Sequence, residues 1–157
     1  MTGNAGLAQS PEDPKKAVLD QAGFENLETI ARHVVDCGFA LHDELGPGLL
    51  ESAYDSFLAA ALRERGLRVE LQRSVAVTYK GVAVKEAFRV DLLVEGLLIV
   101  EIKSVERLSP VHARQLLTYL RLTGAPLGLL INFGESLFKN GAKRIINDRS
   151  PYRAPRL

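Results

Sequence analysis

From about Leu27 the apolar residues Ile30, Val34, Val35 and Phe39 recur at helical spacing, and the run stops at Gly46-Pro47-Gly48, which does not readily continue a helix. A second helix is predicted from about Leu49 to Arg65. Leu50, Tyr54, Phe57, Leu58, Ala61 and Leu62 form its apolar stripe, and Gly66 is its left-handed terminator. The period then shortens from about 3.6 residues to 2. Val75, Val77 and Tyr79 alternate with Ser74, Ala76 and Thr78, and Lys80-Gly81 turns the chain into a strand through Val82, Val84, Phe88 and Val90. A third strand, Leu97 to Lys103, follows a reversal at Glu95-Gly96. Ser109-Pro110 supplies an N-cap with proline at the first helical position, and Gly124 closes that helix. The unbroken apolar run from Leu127 to Asn132 reads as a parallel strand covered on both faces. A last strand is expected near Arg144 to Ile146. The pattern predicts an α/β fold in the order ααβββαβ.

Composition adds limits. The chain has 157 residues, and 20 Lys+Arg against 19 Asp+Glu give a formal charge of +1, with 46% hydrophobic and 25% charged residues. A single domain of this length buries about two-thirds of the unfolded surface, so neither a disulfide nor a structural metal is needed to make a core. A balance so near zero argues against nucleic-acid binding through bulk charge, although one local basic face would suffice for phosphate contacts. Cys37 is the only cysteine, which excludes an intrachain disulfide and cysteine-based zinc modules and points to a reducing cytoplasm. No secretory signal is apparent at the start, and no apolar stretch approaches the ~20 residues of a membrane span. Residues 1–23, with Gln9-Ser10-Pro11-Glu12-Asp13-Pro14-Lys15-Lys16, read as a flexible arm, residues 24–148 as the domain and residues 149–157 as a basic tail.

Candidate chemistry concentrates between Val90 and Lys103. Asp91, Glu101 and Lys103 are charges inside apolar strands, where charge is rare unless paired, hydrogen-bonded or bound to a metal. Alternation sends Leu98, Val100 and Ile102 to one face and Glu101 with Lys103 to the other. A two-residue Glu95-Gly96 loop would pair Asp91 with Val100, on the wrong face; the three-residue loop Val94-Glu95-Gly96 is predicted instead, pairing Asp91 with Ile99 and setting its side chain beside Glu101. Two readings fit such a cluster. One is an ion pair at a sheet end. The other is a site for a hard divalent cation, with Lys103 steadying a water or a developing negative charge. Glu51 lies in the first turn of the second helix near Tyr54 and Asp55, where the helix dipole alone accounts for an acid. Gln115 and Tyr119 share one face of the third helix, as befits either a polar helix edge or a site. His33, His42 and His112 are too scattered to form a metal motif by spacing.

The segment Gly48-Leu49-Leu50-Glu51-Ser52-Ala53-Tyr54 resembles the signature of the GxxExxY proteins, as do the residues from Glu44 to Glu51 and Gly128-Leu129-Leu130-Ile131-Asn132-Phe133-Gly134. The similarity runs from about Ile30 to Asn147. That family is placed in the PD-(D/E)XK nuclease superfamily, and the resemblance implies a restriction-endonuclease-like core, a mixed central sheet flanked by helices. In it, Asp91 corresponds to the first acid, Glu101-Ile102-Lys103 to the (D/E)XK element and Glu51 to the upstream helix acid. Gln115 to Tyr119 resembles the QxxxY element of RecB-like and lambda-exonuclease-like members, and Val90 stands where the superfamily name has proline.

The resemblance implies a nuclease that hydrolyses phosphodiester bonds of nucleic acid, DNA before RNA. Asp91, Glu101, the Ile102 carbonyl and Glu51 would hold Mg²⁺ or Mn²⁺, and Lys103 would position the attacking water. Gln115, Tyr119 and Arg114 would orient the substrate. Phosphate steering is expected from Arg107, Arg114 and Arg121 and from the C-terminal run Lys139, Lys143, Arg144, Arg149, Arg153 and Arg156, unless that run is simply a solvated surface. The alternatives are a catalytically silent nucleic-acid-binding or protein-interaction module that keeps the fold, and a purely structural protein.

Overall fold

The computed structural model describes residues 21–150; residues 1–20 of the expected arm and 151–157 of the expected tail, with Arg153 and Arg156, lie outside the described residues. The elements are α1 (Gln21–Leu45), α2 (Glu51–Glu64), β1 (Val69–Tyr79), β2 (Val82–Val94), β3 (Leu98–Lys103), α3 (Pro110–Thr123), β4 (Leu127–Asn132), α4 (Phe138–Gly141) and β5 (Ala142–Ile146). The order is the expected ααβββαβ with one short extra helix, α4, between the last two strands.

Two expectations about the first helices are corrected. Helix α1 begins at Gln21 rather than near Leu27, because the intervening residues carry no proline and continue the helix ahead of its apolar stripe. Leu27, Ile30, Ala31, Val34 and Cys37 are buried, whereas Val35 and Phe39 are turned outward. On α2, Phe57 is likewise 47% exposed, Leu50 is 77% exposed as the N-cap rather than part of the stripe, and the buried residues are Tyr54, Asp55, Leu58, Ala59 and Leu62. An aspartate outside the expected apolar stripe thus occupies a core-facing position.

The five strands form one sheet in the order β1-β2-β3-β4-β5, antiparallel except for the parallel β3–β4 pair that α3 connects. Helices α1 and α2 cover one face through Leu92, Val94, Leu98, Val100, Ile102, Leu129 and Ile131. Helix α3 covers the other with Leu116 and Leu120, packed on Leu93, Ile99 and Leu130. Every residue of β4 is buried, as its unbroken apolar run requires. No helix among the described residues is long and apolar enough to cross a membrane.

Three local devices hold the site end of the sheet. Tyr54, fully buried and stacked on Phe133 at 4.3 Å, donates its hydroxyl to the Gly46 carbonyl (2.6 Å) and accepts the Leu49 N–H (3.2 Å), which pins the α1–α2 connection. Asn132 clasps the chain just past Lys103, donating to the Val105 carbonyl (2.9 Å) and accepting the Val105 and Gly134 N–H groups (both 3.0 Å). A Cβ at Gly134 would overlap the Val105 carbonyl, so only glycine fits there. Helix α3 starts as expected at Ser109, whose Oγ accepts the Val111 N–H while its own N–H donates to His112 Nδ1. His112 is therefore a capping residue.

Candidate functional site

The β2–β3 turn differs from the expected one. Its loop is Glu95-Gly96-Leu97, and the pairs are Leu92↔Val100, Leu93↔Ile99 and Val94↔Leu98. Glu95 and Gly96 both have left-handed φ, +52° and +67°, and Leu97 N–H closes on the Val94 carbonyl at 3.1 Å. Glu95 is held in that turn by Arg68, whose N–H and Nε donate to its two carboxylate oxygens at 2.8 and 3.0 Å. The register is therefore two steps from the expected one, which preserves the side-chain alternation, and Asp91 faces Glu101 rather than Ile99.

At that point the backbone ladder ends and side chains take it over. The Asp91 N–H donates to Glu101 Oε1 (3.2 Å), and the Ile102 N–H donates to Asp91 Oδ2 (2.8 Å). Each carboxylate thus fills the gap between two separating strands. The β1–β2 ribbon also turns over here. Leu92 and Val94 pack towards α1 and α2, while Phe88 and Val90, of the same parity, pack beneath α3, and Leu71 and Val75 on β1 divide in the same way. The pivot is Gln72 opposite Asp91, with Gln72 at φ +50°. Strict alternation fails at this step, and Asp91 consequently reaches both Glu101 and the α2 side.

A cavity of about 560 Å³ opens on that side, lined by Glu51, Asp55, Gln72 and Asp91 together with Leu49, Leu50, Ser52 and Ser104. Glu51 is exposed at its mouth as the first residue of α2. Asp55 is only 5% exposed; Oδ2 accepts the Gln72 amide at 2.8 Å and Oδ1 is buried without a hydrogen-bond partner. Burial, and then repulsion from Asp91, raise the Asp55 carboxyl to about 7 against the opposing pull of Gln72 and Lys103. Glu101, also 5% exposed, is raised to about 9 by burial and then by Asp91. Burial and the same two carboxylates, Glu101 and Asp91, raise the Tyr119 phenol, so its ring lies within their field. Four acids, Glu51, Asp55, Asp91 and Glu101, thus gather with Lys103 as the lysine that opposes their charge.

The remaining expected residues fall unevenly. Lys103 is half-buried at the end of β3, and Tyr119 is half-buried and stacked on Phe88 at 4.1 Å. Gln115 and Arg114 are exposed on α3. Four residues of the expected basic track, Arg121, Arg144, Lys139 and Lys143, are engaged away from the site. Arg121 pairs with Asp148 (3.3 Å) and Arg144 pairs with Glu28, while Lys139 and Lys143 border a separate, more apolar cavity of about 690 Å³ between α1, α4 and β5. That larger cavity holds neither Asp91 nor Glu101.

Asp55 and Gln72 are the site residues that sequence reasoning missed. Asp55 carried a signal, since it lies four residues after Glu51 and hence on the same helix face. Gln72 carried none, because its role depends on a left-handed backbone in mid-strand.

The charge balance fits a cation. Two facing carboxylates, a raised Glu101 and an orphaned Asp55 oxygen are all relieved by positive charge. Among the described residues no three His, Cys, Asp or Glu groups gather closely enough to hold a metal ion by themselves. No curated protein and no solved structure matches the chain. A family model described as the PD-(D/E)XK nuclease superfamily matches residues 28–145.

Proposed function

Since the chain belongs to the PD-(D/E)XK nuclease superfamily, we propose that it is a divalent-metal-dependent nuclease whose centre lies where β2 and β3 separate. The observation that carries the reading is the pair Asp91 and Glu101, whose carboxylates stand in for the backbone ladder with Lys103 two residues further along the strand. Asp91, Glu101 and the Ile102 carbonyl would hold Mg²⁺ or Mn²⁺, with Glu51 as a further acid lining the same cavity as Asp91. Bound there, the cation would lower the pKa of an attacking water and withdraw charge from the phosphate.

The chain's own residues do the rest. Lys103, whose charge already pulls down Asp55 and Glu101, holds the attacking water and offsets charge that builds on the phosphate. Tyr119, braced by Phe88, and Gln115 on the same face of α3 orient the substrate backbone, with Arg114 alongside as a phosphate contact. DNA is the first substrate to test, on the resemblance of Gln115 and Tyr119 to the QxxxY element.

Gel assays on single-stranded and duplex DNA and RNA decide the matter. Cleavage with Mg²⁺ or Mn²⁺, none with EDTA, and none by Lys103→Ala are expected. A wild-type chain that cuts no substrate, or a Lys103→Ala chain that cuts as fast, overturns the reading.

A further inference from the structure

We infer that Gln72 is a positioning residue for Asp91, anchored by Asp55; the inference rests on the nuclease reading above. Among the described residues three non-glycine positions have left-handed φ: Gln72, Lys80 and Glu95. Lys80 and Glu95 each precede a glycine in a hairpin turn that demands such angles. Gln72 lies in the middle of β1, where no turn asks for it. Backbone held in a sparsely populated region persists only where its surroundings enforce it, and such positions cluster at functional sites.

What the conformation achieves is visible in the side chain. Gln72 Nε2 donates to Asp55 Oδ2 at 2.8 Å and reaches Asp91 Oδ1 at 3.3 Å. An amide nitrogen carries two hydrogens, so one group serves both carboxylates. With Asp91 Oδ2 fixed by the Ile102 N–H at 2.8 Å, both oxygens of Asp91 are located before any ligand arrives. A lysine at position 72 would also bind Asp91, but it would neutralise the carboxylate and compete with a cation; a neutral amide orients the carboxylate and leaves its charge intact. Asp55 has a matching oddity. It is an acid on the core-facing stripe of α2, and among the described residues Gln72 is its one side-chain hydrogen-bond partner. A buried carboxylate is costly, and an apolar residue there would pack without that cost. Anchoring the amide gives it a role.

The test separates backbone strain from carboxylate positioning in the full-length chain. Gln72→Gly removes the amide yet suits φ +50°, so relief of the backbone offsets part of the cost of leaving Asp55 Oδ2 unpaired and the melting temperature is expected to fall only modestly. Mn²⁺ affinity by titration calorimetry is expected to fall about 10- to 100-fold, as it does when groups that orient metal ligands are lost. Duplex cleavage should fall with it at low Mn²⁺ and recover as Mn²⁺ is raised. Asp55→Asn keeps an acceptor for Gln72 and should bind Mn²⁺ within about threefold of wild type, whereas Asp55→Ala should weaken binding as Gln72→Gly does. Wild-type affinity in Gln72→Gly overturns the inference and leaves the nuclease reading standing. A loss in Asp55→Asn as large as that in Asp91→Ala also overturns it, by making Asp55 a ligand in its own right. A wild-type chain that binds no Mn²⁺ overturns the nuclease reading, and this inference with it.

Discussion

At the turn end of the β2–β3 pair, Val94 and Leu98 face each other in a regular ladder, both fully buried. Three residues back along β2, Asp91 faces Glu101, and carboxylates accept the hydrogen bonds that backbone carbonyls would otherwise take. The first end gains stability by removing apolar surface from water. The second end loses stability, because a buried acid beside another acid is disfavoured twice, by desolvation and by repulsion. Rigidity at the apolar end is what keeps two acids at close quarters. The contrast teaches that the site and its support are built from the same strands and are told apart only by where the ladder stops.

The largest expected effect breaks the polar end alone. Asp91→Asn should bring metal-dependent cleavage to background while the metal-free melting temperature holds or rises, since Glu101 loses its repulsive neighbour and the Ile102 N–H keeps an acceptor. A gel assay run beside a melting curve checks both halves, and a sharp drop in melting temperature would erase the distinction between the two ends. The converse change is Leu98→Ala, expected to cost about 2–5 kcal/mol in urea unfolding, as other large-to-small core changes do. Activity per folded molecule should survive it. If activity falls further than the folded fraction, the two ends are not separable.

Much of this was legible in the sequence, for physical reasons that also explain the gaps. The buried β4 run, the Ser109 cap and the Lys80-Gly81 turn depend on local pattern, and each stands where the pattern put it. Asp91, Glu101 and Lys103 were conspicuous because charge interrupts an apolar run. The register was not readable, since it is set by Arg68 holding Glu95, a contact between residues 27 apart. Nor was the turning over of the ribbon at Gln72, which alternation cannot encode. The basic C-terminal run misled for a related reason: composition shows how many cations a segment has, and only the fold shows that Arg144 is committed to Glu28.

A smaller effect sharpens the comparison through pH. Glu101 has a folded-state value of about 9, above the ordinary 4.5, and Asp55 about 7, above 3.8. The folded state therefore binds more protons than the unfolded chain between those values, so both groups make stability fall as pH rises across that window. Glu101→Gln should flatten the decline relative to wild type in melting curves taken without metal. Mn²⁺ competes with the same protons, so its stabilising shift should be larger near pH 8.5 than near pH 6. A shift that shrinks with pH would place the cation away from Glu101.

The smallest effect concerns how the site end is held. Tyr54 joins the Gly46 carbonyl and the Leu49 N–H through one hydroxyl, and Leu49 lines the cavity. Tyr54→Phe keeps the stack on Phe133 and removes both bonds. Leu49 is 38% exposed, so water can reach its freed N–H, and the expected loss is about 1 kcal/mol in the local opening of the α1–α2 connection, with global stability held. Because the freed segment leads directly into Glu51, hydrogen exchange should rise between Gly46 and Ser52 and not at Val94 or Leu98. Equal acceleration at both ends would mean that Tyr54 supports the whole sheet. Acceleration confined to the cavity side would show that the polar end of β2–β3 has a brace of its own, independent of the apolar end that keeps its strands together.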